Sequence, residues 1–110
     1  MDEIEKLTVH TETMYGGKKY TIYYNQIYID GGLTCDVLHI PYGQWDYGVI
    51  VDRLIKEHYP NGQMEAILNN YLLDSSDEQS KAKFNEMQEY RNYAKELAKQ
   101  AMQYVIDNNL

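Results

Sequence analysis

Apolar residues change their spacing once along this chain, at Pro41, and that change restricts what it folds into. Before Pro41 apolar and polar residues alternate with the period of two that suits a half-buried strand. Leu7 and Val9 alternate with Lys6, Thr8 and His10, and a threonine-rich run continues to Met14. Gly16-Gly17 reads as a turn. Tyr20, Ile22 and Tyr24 then share one face of a strand, with Lys19, Thr21 and Tyr23 on the other. Asn25-Gln26 is either a turn leading to a further strand that ends at Asp30, or the middle of one long bent strand. The ambiguity stands because Asn-Gln is a weaker hairpin signal than Asn-Gly. In the first reading Ile27 and Ile29 face inward. Asp30-Gly31-Gly32 is a stronger turn, and Leu33, Cys35 and Val37 alternate after it.

After Pro41 the period becomes 3.6. Asp46 or Gln44 caps a helix running to about His58, with Tyr47, Ile50, Val51, Leu54, Ile55 and His58 on one side. Pro60-Asn61-Gly62 stops it, and Asn61 is placed to cap a second helix with Met64, Ile67, Leu68, Tyr71 and Leu72 as its apolar positions. Ser75 and Glu78 have the spacing of a capping box for a last helix ending near Asp107. That helix would be roughly 45 Å long at about 1.5 Å per residue. Its stripe runs through Phe84, Met87, Tyr90, Arg91, Ala94, Leu97, Ala98, Ala101, Tyr104 and Val105, and its alanines permit close packing. A helix that long exceeds what a small sheet covers, so one end projects or meets a second subunit. The expectation is a single α+β domain over residues 1–110: an N-terminal antiparallel sheet of three or four strands followed by two or three helices, the last one long.

Charge limits the partners. The net charge of −7 is spread along the chain, and Lys18-Lys19 is the single adjacent basic pair. Direct binding to nucleic-acid phosphates requires clustered positive charge and is not expected. Steered encounter with a partner bearing a basic surface is. No uncharged stretch approaches the roughly 20 residues of a membrane span. The acidic start lacks the basic and then apolar layout of a signal peptide, and a single cysteine excludes an internal disulfide. A cytoplasmic protein is the reading.

Motifs that carry chemistry are scarce. Cys35 and His39 share a strand face and with His58 or His10 would make a zinc site, yet the paired ligands typical of zinc are absent. A Cys35/His39 nucleophile pair fails on its orienter, since Asp36 points to the opposite face. Asp46 with Asp52, or Glu86 with Glu89, suits magnesium or acid–base work in principle, but such helix acids read first as a solvated face. Asp30-Gly31-Gly32 lacks the Lys-Ser/Thr of a phosphate loop. A non-enzymatic protein without cofactor or metal is expected.

What remains is tyrosine: twelve residues, against one phenylalanine and one tryptophan. Tyrosine joins a large apolar ring to a hydroxyl that tolerates water, so it suits half-wet contact surfaces. Alternation sets Tyr23 and Tyr28 opposite the isoleucines, where they serve either as cross-strand pairs on an exposed face or, with Tyr15, as a contact surface rimmed by Glu12, Asp30 and Asp36. The segment from Pro41 to Gly48 holds Tyr42, Trp45, Asp46 and Tyr47 between glycines, as a second aromatic cluster that is either core or contact loop. Tyr23, Tyr28, Tyr42, Trp45 and Tyr47 are the expected anchors for a protein partner, with Asp30, Asp36 and Asp46 as steering acids.

Tyr20–Gly31 and Gln63–Leu73, in a short acidic chain that begins with tyrosine-rich strands and ends in helices, resemble the small accessory proteins of bacteriophages and mobile elements. Many of those are similar to anti-CRISPR and other anti-defence inhibitors. The resemblance implies a protein that blocks a host nucleic-acid-handling complex in a bacterial or phage-infected cell. A structural reading, in which the long final helix forms a homodimer through Leu97 and Ala101, stands beside it.

Overall fold

The computed structural model describes residues 7–110, with the side chains of Tyr28, Ile29 and Leu33 outside that description. Three antiparallel strands, β1 (Thr8–Met14), β2 (Gly17–Ile29) and β3 (Gly32–Ile40), lie in the order β1-β2-β3. Three helices follow: α1 (Tyr47–His58), α2 (Gln63–Leu73) and α3 (Glu78–Asp107). The architecture is α+β, and of the two readings of β2 it is the single long strand that forms.

A bulge explains how that strand keeps its pattern. Tyr24 pairs with Asp36 and Ile27 with Thr34, so Asn25 and Gln26 together oppose one residue of β3. Asn25 takes a left-handed conformation, φ 53°, which asparagine adopts at lower cost than most residues. The inserted residue brings Ile27 into line with Tyr24 on the helix side of the sheet. There Ile27 stays 41% exposed, so its inward orientation does not amount to core burial. Lys6, expected on the outer side of β1, lies outside the described residues.

The core forms where the period-two face meets the 3.6-period stripes. Val9, Tyr20, Ile22, Tyr24, Leu38 and Ile40 of the sheet bury against Ile50, Leu54 and Ile55 of α1 and Ala94, Leu97, Ala98 and Ala101 of α3. The alanines let α3 approach the sheet closely over β1, while α1 lies over β3 and packs along α3. Burying a Leu or Ile side chain of this kind contributes about 1.5–3 kcal/mol.

Caps set the helix starts. Asp46 caps α1, accepting from the backbone N–H groups of Gly48 at 2.9 Å and Val49 at 3.3 Å. Two expected caps fall elsewhere. The residue before α2 is Gly62, left-handed and without a side-chain cap, because Asn61 is itself held at φ 56° in the preceding turn. The capping box of Ser75 and Glu78 does not form. Asp77 caps α3 instead, accepting from Ser80 N–H at 2.9 Å, while Asp74 takes the Ser76 N–H and hydroxyl.

The second helix departs furthest from expectation. Its apolar stripe is regular, but no residue of α2 is buried. It packs on the first turns of α3, where Tyr71 and Phe84 stack with centroids 4.2 Å apart. This α2–α3 hairpin extends the molecule to a radius of gyration of 16.5 Å, against about 13 Å for a compact chain of this length. One end of the long helix does project, then, and α2 accompanies it.

Candidate functional site

A concavity that gathers aromatic and acidic side chains lies where the end of α1 crosses α3 beside the bulge in β2. Two adjoining hollows of about 510 Å³ and 290 Å³ share Asn25, His58, Tyr90 and Tyr93. Tyr24 stands at the sheet end and Tyr59 at the outer end.

Each ring is held from a different element. His58 closes α1 and stacks on Tyr90 of α3, with centroids 3.9 Å apart and planes 15° apart. Tyr59 follows as the C-cap and meets both rings edge-on, at 4.7 Å from His58 and 5.9 Å from Tyr90. The Tyr90 hydroxyl donates to the Leu54 carbonyl at 3.2 Å. Tyr93 donates to Asn25 Oδ1 at 2.7 Å, and Asn25 Nδ2 donates to Asp36 Oδ2 at 2.9 Å. The bulge therefore has a use. It turns one asparagine so that it links an acid of β3 to a tyrosine of α3.

Four carboxylates surround the rings: Asp36 from β3, Glu57 from α1, and Glu86 and Glu89 from α3. All four are exposed, and no Lys or Arg lines either hollow. Their combined field is visible in the tyrosines. Burial, then the neighbouring Tyr93, Glu57 and Asp36, push the Tyr90 hydroxyl up to about 12. Burial, then Tyr90, Asp36 and Glu57, raise the Tyr24 hydroxyl well above its ordinary value. Tyr59 is raised by burial and by Glu86. Burial opposes charge of either sign, whereas Asp36, Glu57 and Glu86 oppose an anion and favour a cation.

The residues expected to anchor a partner are dispersed. Tyr23 lies on the outer sheet face between Thr8 and Val37. Tyr28 pairs with Leu33 in the register, and its side chain lies outside the described residues. Asp30 occupies the β2–β3 turn at φ 51°. Tyr42 packs at the opposite end of β2, edge-on to Tyr15 at 6.0 Å, and donates to the Tyr15 carbonyl at 3.2 Å. Trp45 stacks on Tyr20 at 4.2 Å and leans on the core, Asp46 is engaged as a helix cap, and Tyr47 is exposed. Of these residues, among those described, only Asp36 joins the cleft.

Four members of the cleft, Tyr24, Tyr90, Glu86 and Glu89, were legible only as core or solvated-face positions. The adjacent rings of His58 and Tyr59 before Pro60 are a sequence signal for those two residues alone, and Asn25, Glu57 and Tyr93 carry none. Cys35 and His39 are exposed on the outer sheet face, and His39 Nδ1 is 3.4 Å from Thr21 Oγ1. Among the described residues no three His, Cys, Asp or Glu side chains are grouped to hold a metal ion, and no helix is long and apolar enough to cross a membrane.

No protein-family model matches the chain, and no curated protein and no solved structure is significantly similar to it.

Proposed function

We propose that this chain is a non-enzymatic module that binds a protein partner with a basic surface. One observation carries the reading. Every described Asp and Glu is exposed, and among the described residues the ion pairs are Asp52–Lys56 and Glu96–Lys99, each within a single helix. Most of these carboxylates therefore face solvent without an ion pair, interleaved with half-exposed tyrosines that offer contact area at low entropic cost. The further proposal, inhibition of a host nucleic-acid-handling complex, rests on the resemblance to phage accessory proteins. Such complexes present the basic grooves that an acidic surface of this kind would occupy.

The test is affinity capture of the tagged protein from a bacterial lysate after nuclease treatment, eluted along a salt gradient. A captured protein that carries a basic surface and leaves as salt rises supports the reading. Recovery of the tagged protein alone, or of a partner indifferent to salt, contradicts it.

A second reading is favoured by α2. Leu97 and Ala101 are fully buried against the sheet and α1, so a dimer seam through them is closed within one chain. Leu72 and Leu73 of α2 are 70% and 85% exposed, beside Leu68. Self-association would use that edge, seen as a concentration-dependent mass in light scattering that Leu72→Glu abolishes. An unchanging monomer mass removes it.

A further inference from the structure

We propose that the cleft between α1 and α3 receives the guanidinium of an arginine side chain presented by the partner. This deepens, and rests on, the reading of the chain as a binder of a basic protein. The argument begins with shape. Tyr90 and Tyr93 have their hydroxyls committed to Leu54 and Asn25, so their rings are held in fixed orientation before any ligand arrives. His58 and Tyr59 complete an aromatic wall around them. Such a wall suits a planar, weakly hydrated cation that stacks on rings.

Charge points the same way. Glu86 and Glu89 of α3 line the larger hollow, Asp36 of β3 and Glu57 of α1 line the smaller one, and none of the four joins either ion pair. Lys83 shares Glu86, and Arg53 and Lys56 share Glu57, in neighbouring hollows, but none of the three lines the cleft. An anion would meet two carboxylates in either hollow. A neutral ring would stack but leave the rim unmatched. A lysine ammonium would satisfy the charge, but as a compact, strongly hydrated point charge it gains less from the rings. A guanidinium uses both features, stacking by its face while its five donors reach the rim.

The experiment follows tyrosine ring signals by NMR during titration with three capped tripeptides, Gly-Arg-Gly, Gly-Lys-Gly and Gly-citrulline-Gly. Citrulline keeps the shape of arginine and removes its charge. The arginine peptide is expected to shift the Tyr59, Tyr90 and Tyr93 signals saturably, the lysine peptide to bind several-fold more weakly, and the citrulline peptide not to saturate. The paired substitution Glu86→Gln and Glu89→Gln, on exposed positions of α3, should weaken the arginine peptide by about tenfold while leaving the backbone spectrum of the fold in place. Equal response to arginine and lysine overturns the guanidinium assignment and leaves the basic-partner reading standing. Silence of the three ring signals, or an unchanged response in the Glu→Gln variant, also overturns it, and the capture experiment then judges the broader reading by itself.

Discussion

The imidazole of His58 and the ring of Tyr90 lie nearly parallel, 3.9 Å apart, joining the last residue of α1 to the middle of α3. Around that stack the protein assembles an acidic, aromatic cleft on a scaffold whose core lies one layer below. The Tyr90 hydroxyl, bonded to Leu54, links the two levels.

Alkaline pH should loosen this joint. Tyr90 and Tyr24 have folded-state hydroxyls raised above the ordinary value near 10. An acid raised on folding stabilises the fold fully below its unfolded value and loses that contribution as pH climbs through the folded one. Stability should therefore fall from about pH 10 toward pH values near the Tyr90 figure of about 12. Tyr24→Phe combined with Tyr90→Phe should flatten the decline. Denaturant midpoints measured from pH 8 to 12 check this, and a decline equally steep in the double variant refutes it.

Gly17 is fixed by Tyr42. A Cβ at position 17 would overlap Cε2 of the Tyr42 ring and approach its hydroxyl at 2.9 Å. Gly17→Ala should cost about 1 kcal/mol, at the low end for overpacking because the ring tip can shift. In a Tyr42→Ala background most of that cost should vanish. A double-mutant cycle with no coupling would remove the explanation.

Helix starts separate caps from surface pairs. Asp46→Ala and Asp77→Ala should each cost about 1 kcal/mol through the lost N-cap acceptor. Asp52→Ala, which breaks only the exposed pair with Lys56, should cost no more than about 0.5 kcal/mol. Urea unfolding distinguishes the two classes.

The exposed leucine edge of α2 should prove dispensable to the monomer. Leu72→Ala is expected to cost less than about 0.5 kcal/mol, whereas Leu97→Ala, fully buried, should cost about 2–5 kcal/mol. Comparable losses at both positions would mean that α2 is covered in solution.

Most of the scaffold was legible because periodicity reports which face of each element is apolar. The alternation of Tyr20, Ile22 and Tyr24, the stripe of α1 and the alanine face of α3 all fall where their spacing puts them. Periodicity says which side is apolar but not whether anything covers it. That is why α2 has a regular stripe and no buried residue, and why Ile27 faces the helices yet stays exposed. Caps shifted from Asn61 to Gly62 and from Ser75 to Asp77, with Asn61 held left-handed in a turn and Asp77 accepting from Ser80. The cleft was the least legible part. Its members lie on four elements, and sequence distance conceals that Asn25 and Tyr93 meet at 2.7 Å.

The central claim is that exposed carboxylates around the aromatic cleft bind a basic protein. The most direct test measures affinity for the captured partner between about 0.01 M and 1 M salt, where the screening length falls from about 30 Å to about 3 Å. The chain should be compared with its Glu57→Gln, Glu86→Gln and Glu89→Gln variant. The account predicts that affinity falls steeply with salt, and that the variant binds more weakly with a shallower dependence. Equal affinity and equal slope in the two proteins would contradict it.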